Sequence, residues 1–337
     1  MKKIFISISP GFYKTKLLTE ISKKIDILVI YTTDYDASSR NKDFLSANRE
    51  FPFICLTGPK LFQSLKLFWI LLTTKYDECI IGGYVSFSEW IPVLISKKKN
   101  ALILESTFRE TTTKGLKVLM KRFFFSRLHR VYACGSPHEK LARMFGFKGE
   151  VEKWYSVGLI NQVAQPVYKP RQEVKKFLFI GRLIWQKNLS WLIDRFNDHP
   201  ELSLDIIGYG EDEVMLKQKL MGSNIRFLGA VDNDKLYKYY QDSDVFILPS
   251  ISETWGLVVE EALNNGTPVM LSNMVGAADD MVKNTGFGVV FKTNDIDDFE
   301  QKLSEITTPC IYNAMRKNIS SLDYEFKKKS IINIFCK

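Results

Sequence analysis

The chain has 337 residues, of which 45% are hydrophobic and 25% are charged, and its formal net charge is +9. This length is more than a single hydrophobic core of ordinary size organises, so it predicts two domains. The composition excludes a disordered or fibrous protein. The five cysteines and three histidines are scattered without C-x-x-C pairs or metal-ligand spacing. The sequence therefore predicts reduced thiols, no metal ion and no cofactor.

The N-terminal residues Met1-Lys2-Lys3 lead directly into an apolar run of strand length, without a small-residue cleavage site. We therefore expect a cytoplasmic protein without a secretory leader. The longest uncharged apolar run, LFWILL at 67–72, falls short of the roughly 20 residues that cross a bilayer.

A basic stretch at 114–130 mixes Lys and Arg with Leu, Met and Phe and contains no acidic residue. One interpretation is a solvated basic helix face whose other side packs in a core. The other is a patch on an anionic membrane surface, with Phe123, Phe124 and Phe125 near the lipid. Nucleic-acid binding is a third interpretation of such a stretch, although we expect no nucleic-acid partner.

Short apolar runs, separated by segments of helix length, predict the strands. Runs that do not alternate with polar residues suit strands buried on both faces, and their alternation with helices predicts βαβ units and parallel sheets. The fold class is therefore α/β, with a doubly wound sheet in each half. The runs lie at 3–9, 25–31, 78–83, 101–105, 130–135, 176–181, 202–208, 225–229, 244–249 and 267–272.

Several helices have readable ends. The segment Ser136-Pro137-His138-Glu139 predicts a capping box that leaves His138 exposed in the first turn. After Asn188, four apolar residues share one helix face: Leu189, Leu192, Ile193 and Phe196. A further helix is predicted from Leu257 to Asn265, with Gly266 as its C-terminal stop.

The polar, proline-bearing segment at 155–175 predicts a linker. We expect an N-terminal domain at 1–160, a C-terminal domain at 161–310, and a helical tail at 311–337 that returns to the first domain. In such a pair a ligand is expected in the central cleft, outside the carboxyl ends of the strands.

Two strand-to-helix turns of the second half carry polar side chains suited to a nucleotide sugar. The first turn, 181–188, contains Arg182 and Lys187. Backbone N–H groups, a helix dipole and two cations at one such turn suit a diphosphate. The second turn, 249–262, contains Glu253 before a helix and Glu261 within it. Carboxylates there can accept hydrogen bonds from sugar hydroxyls.

The combined pattern G-R-L-x-x-x-K and P-S-x-x-E-x-W-G-L-x-x-x-E-A resembles the donor half of family 4 of the retaining glycosyltransferases, which have the two-domain GT-B fold. The likeness continues through Gly208-Tyr209-Gly210-Glu211, through the segment at 265–269 and through the segment at 275–282, and it covers residues 177 to 300. Asn188 stands where glycine is frequent in this family, and Trp255 stands where phenylalanine is frequent.

The resemblance implies a role for each matching position. Arg182 and Lys187 would bind the donor diphosphate, and Glu253 would contact hydroxyls of the transferred sugar; these three form the catalytic set. Glu261 would bind the ribose. The backbone of Leu257 and Val258 would lie against the phosphates, and the glycines of the two turns and of the G-x-G segment complete the donor set: Gly181, Gly208, Gly210 and Gly256. The donor phosphate itself would take the acceptor proton.

The first domain matches the family less closely. Ser9-Pro10-Gly11 is similar to the glycine-bearing loop that lies beside the donor phosphates, so Gly11 joins the donor-binding set. Glu105 and Ser106 end a predicted strand and are candidates for the acceptor side. Many relatives have a histidine near this region, which this sequence lacks.

The resemblance implies a metal-independent hexosyltransferase that uses a UDP-sugar in preference to a GDP-sugar. Its acceptor would be a glycan or polyprenyl-linked glycan in bacterial surface polysaccharide synthesis (O-antigen, capsule or lipopolysaccharide), and the enzyme would lie on the inner face of the cytoplasmic membrane. The alternatives are a nucleotide-sugar 2-epimerase on the same fold and a catalytically silent scaffold. No G-x-G-x-x-G follows the first strand, which argues against a dinucleotide-dependent dehydrogenase.

Overall fold

The structure is a computed structural model that describes residues 1–7, 10–32, 48–96, 99–112 and 115–337. Ser9 and Lys114, which belong to two of the predicted sites, lie outside the described residues. The contacts divide the chain into two compact units. The first unit comprises Met1–Leu159 with Glu325–Lys337, and the second comprises Ile160–Tyr324.

Seven strands of the first unit, counted over its described residues, form a parallel sheet with the order β3-β2-β1-β4-β5-β6-β7. Its central strands are almost completely buried, as their continuous apolar sequences predict. The strands are β1 (Lys2–Ser7), β2 (Asp26–Tyr31), β3 (Phe53–Cys55), β4 (Glu78–Ile81), β5 (Asn100–Leu104), β6 (Arg130–Ala133) and β7 (Glu150–Lys153).

Helices cover both faces of this sheet. They are α1 (Phe12–Ser22), α2 (Lys60–Thr73), α3 (Phe87–Ile95), α4 (Leu116–Ser126) and α5 (Ser136–Met144). The connections between consecutive parallel strands are right-handed. The direction in which a connection runs along the sheet therefore decides which face of the sheet its helix covers. The connections through α2, α3, α4 and α5 all run in the direction from β3 towards β7, so these helices share one face. The connection through α1 runs the other way, so α1 covers the opposite face.

The second unit repeats this architecture with a parallel sheet of six strands, again among the described residues, in the order β10-β9-β8-β11-β12-β13. The strands are β8 (Lys176–Ile180), β9 (Ser203–Ile207), β10 (Ile225–Gly229), β11 (Val245–Leu248), β12 (Val269–Ser272) and β13 (Gly288–Phe291). The helices are α6 (Leu189–Asn197), α7 (Glu213–Lys217), α8 (Leu236–Asp242), α9 (Leu257–Asn264), α10 (Ala278–Met281), α11 (Ile296–Thr307) and α12 (Pro309–Ile319).

The C-terminal segment is divided between the two units. Helix α12 stays with the second unit, where Tyr312 Oη donates to the Asp244 carbonyl at 3.1 Å and Arg316 Nη1 donates to the Gly266 carbonyl at 2.7 Å. Helix α13 (Tyr324–Cys336) packs on the first unit through the buried side chain of Phe335. The segment that returns therefore begins at Glu325, later than the expected residue 311.

The Phe335 ring packs against the rings of Phe5, Tyr132 and Trp154. Phe5 and Tyr132 alternate along their strands with residues that face α2 to α5, such as Ile4, Ile6, Val131 and Ala133. Because successive strand residues point to opposite faces, α13 lies on the same face of the sheet as α1. A hydrogen bond from Lys24 Nζ to Asn333 Oδ1, 2.8 Å long, fastens α13 to the end of α1.

One local prediction was wrong. His138 is fully buried, because α5 begins at Ser136 with Gly135 as its N-cap and turns this position into the core. Burial lowers the pKa of His138 to about 4. Of the three phenylalanines at 123–125, Phe123 is exposed, and Phe124 and Phe125 are completely buried in the core of the first unit. These two follow the interpretation of a helix whose other side packs in a core, and not the interpretation that places them near lipid.

Candidate functional site

In the second unit, β8 and β11 are neighbours although three helices and two strands separate them in sequence. From β8 the chain moves outward through β9 and β10, and then returns to the other side of β8. At such a switch point the turns after the two strands diverge and leave a crevice at the carboxyl edge of the sheet. Both predicted motifs follow these two strands.

The first turn begins with Gly181 and Arg182 directly after β8 and continues into a short 3₁₀ turn at Trp185–Lys187. Arg182 is exposed, and its guanidinium has no carboxylate partner among the described residues. Asn188 has a φ of 57° and links this turn to α6. Such left-handed backbone favours glycine or asparagine, which explains why Asn188 can replace the glycine frequent in the family.

The second turn connects β11 to α9. Glu253 lies in it, and Gly256, with a φ of 97°, is the N-cap residue of α9. Leu257 and Val258 are the first two residues of α9, so helix geometry leaves their N–H groups without an acceptor in the helix and pointing out of its N-terminus. Gly276 supports this turn, because a Cβ atom there would lie 1.8 Å from the Thr254 carbonyl oxygen.

An ion pair between Lys187 Nζ and Glu253 Oε2 joins the two turns. Both side chains are largely buried, with 14% and 16% of their surface exposed. Two further contacts hold the turns together: the Ile251 N–H donates to the Gln186 carbonyl at 2.9 Å, and Asn188 Nδ2 donates to the Pro249 carbonyl at 3.3 Å. The structure thus brings Lys187 and Glu253 of the predicted catalytic set into contact, and Arg182 lies in the same turn as Lys187.

Gly208 and Gly210 pack against the first turn. A Cβ atom on Gly208, whose φ is +142°, would lie 1.8 Å from the Gly181 carbonyl oxygen, and one on Gly210 would lie 2.1 Å from the Leu183 carbonyl oxygen. The Leu183 N–H donates to the Tyr209 carbonyl at 2.9 Å. These glycines therefore position the Arg182 turn by close backbone contact. Their contact with a donor stays a prediction.

Glu261 is buried, and Tyr240 Oη donates a 3.0 Å hydrogen bond to its Oε2. Burial and the neighbouring carboxylate raise the pKa of Tyr240 well above its usual value, so its hydroxyl stays protonated and a donor. Tyr240 is not among the site residues predicted from the sequence. Its signal is weak, because a tyrosine in the amphipathic segment YKYYQD of α8 looks like ordinary core packing.

Trp255 and Glu260 form a second buried pair beneath the turn. The indole Nε1 donates to Glu260 Oε1 at 2.7 Å, and both residues are almost inaccessible to solvent. Because a buried indole N–H needs an acceptor, Glu260 provides a partner that a phenylalanine at position 255 would not require. This pair fixes the turn that carries Glu253.

The predicted site residues of the first unit lie at the carboxyl edge of its sheet. Gly11, with a φ of −72°, is the N-cap residue of α1, while Glu105 and Ser106 follow β5. Lys14 Nζ lies 2.9 Å from Glu105 Oε1. Burial alone would lower the pKa of Lys14, but the Glu105 carboxylate outweighs it and raises this pKa above its usual value. The structure thus pairs the candidate acceptor residue Glu105 with a cation that the sequence analysis missed.

Among the described residues, no group of three or more His, Cys, Asp or Glu side chains is placed to hold a metal ion. The independence of metal ions stays a prediction. Within the same residues, no helix is long and apolar enough to cross a membrane.

Comparison with solved structures identifies the architecture. The lipopolysaccharide outer core galactosyltransferase WaaB, in its apo form, matches with a TM-score of 0.71 at 18% identity, over 99% of both chains. Anabaena HepE in complex with UDP matches with a TM-score of 0.72 at 16% identity, again over 99% of both chains. The chain therefore has the GT-B fold, with two Rossmann-like domains.

The family follows from the sequence. The profile of the family described as Glycosyl transferases group 1 matches residues 162–319. An uncharacterized 41.2 kDa protein in the cps region of Klebsiella pneumoniae is 33% identical over 242 residues, which are 65% of this chain and 67% of that protein. The chain belongs to the Glycosyl transferases group 1 family.

Other relatives match over a smaller part of the chain. Sulfoquinovosyl transferase SQD2 of Arabidopsis thaliana is 32% identical over 165 residues, which are 46% of this chain and 32% of the plant protein. The UDP-Gal:alpha-D-GlcNAc-diphosphoundecaprenol alpha-1,3-galactosyltransferase of Escherichia coli is 34% identical over 152 residues, which are 42% of this chain and 39% of that enzyme. This chain thus spans less than two fifths of the length of either protein.

Proposed function

We propose that this chain is a retaining, metal-independent glycosyltransferase. It moves a hexosyl group from a nucleotide-diphosphate sugar, a UDP-sugar in preference to a GDP-sugar, to a glycan or polyprenyl-linked glycan. The product belongs to a bacterial surface polysaccharide, and the enzyme acts at the inner face of the cytoplasmic membrane.

The observation that carries this proposal is the ion pair between Lys187 and Glu253, which joins the turns after β8 and β11 at the switch point of the sheet. Arg182 lies in the first of these turns and its guanidinium is exposed, and α9 begins at the end of the second turn. Both groups are suited to a diphosphate, because arginine and free helix N–H groups bind phosphate oxygens. Glu253 is suited to accept hydrogen bonds from sugar hydroxyls, and Glu261 from the ribose.

The transfer breaks the bond between the anomeric carbon and the diphosphate oxygen, and the electron pair leaves with the diphosphate. Arg182 and Lys187 stabilise this departing charge. The acceptor oxygen forms the new bond to the anomeric carbon on the face that the diphosphate leaves, and a donor phosphate oxygen takes the acceptor proton. The rest of the rate comes from holding both substrates in a reactive orientation.

Lys187 has a second role in this scheme. In the free protein its ammonium neutralises Glu253, so neither charge is left alone in a largely buried position. When the donor binds, the ammonium can contact the diphosphate while it remains beside the carboxylate, and this places the sugar hydroxyls next to Glu253.

The proposed preference for UDP and for a lipid-linked acceptor is supported by the names of related proteins. The E. coli relative is named for transfer from UDP-Gal to a diphosphoundecaprenol-linked sugar, and HepE was solved with UDP. WaaB is named for the lipopolysaccharide outer core. These names support the choice of donor and pathway without fixing the sugar or the linkage.

A panel of UDP- and GDP-sugars tests the proposal. The full chain should be stabilised against heat by one UDP-sugar and should slowly hydrolyse it, releasing UDP and a sugar with the anomeric configuration of the donor. EDTA should leave the rate unchanged. If no nucleotide sugar stabilises the chain or is turned over, the proposal is wrong; if the donor is converted into its C2 epimer, the chain is an epimerase.

A further inference from the structure

Helix α2 has two apolar faces, and only one of them packs in the core of the first unit. Ser64, Leu67 and Leu71 are buried against the sheet. A second set of large apolar side chains is between 42% and 69% exposed: Leu61, Phe62, Leu65, Phe68, Trp69 and Leu72. Their spacing of i, i+1, i+4, i+7, i+8 and i+11 places them along one stripe of the helix.

Helix α4 repeats the arrangement. Val118, Phe124 and Phe125 are buried, while a stripe spaced i, i+3, i+4 and i+7 is exposed: Leu116, Leu119, Met120 and Phe123. Between α2 and α4 lies α3, whose Phe87 and Leu94 are also exposed.

These three helices form one surface, because α2, α3 and α4 cover the same face of the sheet. Helix α3 contacts α2 on one side. On its other side the Trp90 ring packs against Phe124 of α4, and Arg127 Nε donates to the Val93 carbonyl at 2.9 Å. We call the exposed stripes of α2, α3 and α4 the apolar face. A contiguous apolar surface of this extent is typical of an interaction site.

The exposed charged residues within α2, α3 and α4 are all basic, and Asp26 and Asp77 lie beside Leu72 at the end of α2. Helix α2 contributes Lys60 and Lys66, and α4 contributes Lys117 and Arg122. All four are exposed, and none of them pairs with a carboxylate in the part of the chain that the structure describes. Neither α2 nor α4 contains an acidic residue. The one acidic residue of α3, Glu89, is fully buried and accepts hydrogen bonds from the N–H groups of Val85 and Ser86.

We propose that the apolar face docks on a bilayer that contains anionic lipid. Phe62, Phe68 and Trp69 enter the boundary between headgroups and acyl chains, and the surrounding Lys and Arg side chains contact lipid phosphates. Aromatic and aliphatic side chains on one side of a helix, with cations at its rim, are the pattern of helices that lie in this interface. With 14 residues, α2 is too short to span the bilayer.

The charge distribution favours a bilayer over a second copy of the chain. Two copies joined through this face would bring their unpaired cations together at a buried contact, which opposes association. An anionic lipid surface instead complements every one of these charges. The inference moves the centre of the predicted membrane patch from 114–130 to α2, which the sequence analysis considered only as too short for a span.

Co-sedimentation with vesicles tests the inference. The full chain should bind vesicles of phosphatidylcholine with phosphatidylglycerol, bind pure phosphatidylcholine much more weakly, and dissociate at high salt. The double variant F62S/W69S should bind about ten-fold or more weakly. Its melting temperature should stay unchanged, because both side chains point away from the core.

The matched control is F326S, since Phe326 is 70% exposed on α13, on the opposite face of the same sheet; its binding should equal that of the wild type. In W69F the vesicle-induced blue shift of tryptophan fluorescence should shrink while binding persists. Equal binding by F62S/W69S, or indifference to lipid charge, would overturn the inference. A different result would be self-association of the wild type that F62S/W69S loses, with no vesicle binding by either protein. That result would assign the apolar face to contact with a second copy of the chain.

This test reads lipid binding and requires no sugar transfer. Failure of vesicle binding leaves turnover of a nucleotide sugar untouched, and failure of turnover leaves vesicle binding untouched. The inference rests on the proposed membrane location of the enzyme, and it can fail separately from the proposed sugar transfer.

Discussion

At the scale of single residues, the contacts divide the predicted donor site into charges that are already paired and one that is not. Lys187 and Glu253 neutralise each other, and Glu261 is held by Tyr240. Arg182 is left exposed without a carboxylate partner among the described residues. The unpaired cation is thus the group with the most to gain from a bound anion, since no existing ion pair has to be broken first.

A buried charge cluster of the first unit surrounds Glu78, the first residue of β4, and thus lies at the amino edge of the sheet. Glu78 contacts Lys3 at 2.6 Å and His129 at 3.0 Å, and Arg130 and Tyr132 surround it. Burial alone would raise the pKa of Glu78, but the contacts with His129 and Lys3 outweigh it and lower this pKa to about 2. Because this folded-state pKa is depressed, the stabilisation is present above about pH 4.5 and is lost as the pH falls towards 2.

Replacing Glu78 by Gln should therefore destabilise the chain by about 3 kcal/mol at neutral pH, since it leaves Lys3 buried opposite an amide. Urea unfolding at several pH values measures this, and the difference from the wild type should shrink between pH 4.5 and 2. The control is Glu150→Gln, the exposed partner of Arg130, which should cost less than about 1 kcal/mol. Equal losses for both variants would show that Glu78 is no more than a surface ion pair.

At the scale of elements, the sequence predicts the central strands well and the edges of the sheets poorly. All ten predicted strands are present. The three missed strands, β3, β7 and β13, each lie at a sheet edge. An edge strand is short and partly solvated, so its apolar run is either too short to identify, as in FIC of β3 and GVVF of β13, or absent. The sequence EVEK of β7 illustrates this, since none of its residues is fully buried.

The burial of His138, Phe124 and Phe125 has a common cause. The residue types alone suggest exposure for a histidine in a first turn and for aromatics among cations. Which side of a helix faces the sheet depends on where the helix begins and how it packs, and a shift of one residue rotates the helix by about 100°. In the donor half the strand-to-helix turns fix the side chains more directly, and Lys187 of the first motif contacts Glu253 of the second.

The contact between the Gly208 segment and the Arg182 turn allows a test at this scale. A Gly208→Ala substitution would push a Cβ atom into the Gly181 carbonyl oxygen, so it should lower the melting temperature and displace Arg182, weakening nucleotide binding. Gly229 also has a positive φ, of +71°, but open space around it. Gly229→Ala should therefore cost only the backbone strain of about 1–2 kcal/mol. Equal effects of the two variants on nucleotide binding would argue against this positioning role.

At the scale of the whole molecule, the two units carry different surface chemistry. The second unit presents the polar turns after β8 and β11, where a crevice is expected at the switch point and which the sequence motifs identify. The first unit presents the apolar face of α2, α3 and α4, ringed by unpaired cations. The sequence identifies the crevice because its residues form a specific pattern of types and spacing. It does not identify the apolar face, because only the packing reveals which of two apolar stripes is left exposed.

The central claim is that the second unit binds the diphosphate of a nucleotide sugar through Arg182 and Lys187. Calorimetric titration of the full chain with UDP tests it most directly. The wild type should bind, and Arg182→Ala should weaken binding by roughly 10- to 100-fold, the value of a charge-assisted hydrogen bond. Arg226→Ala should leave the affinity unchanged, because Arg226 lies on the edge strand β10 and pairs with Asp205. Undiminished binding by Arg182→Ala, or an equal loss with Arg226→Ala, would contradict the account.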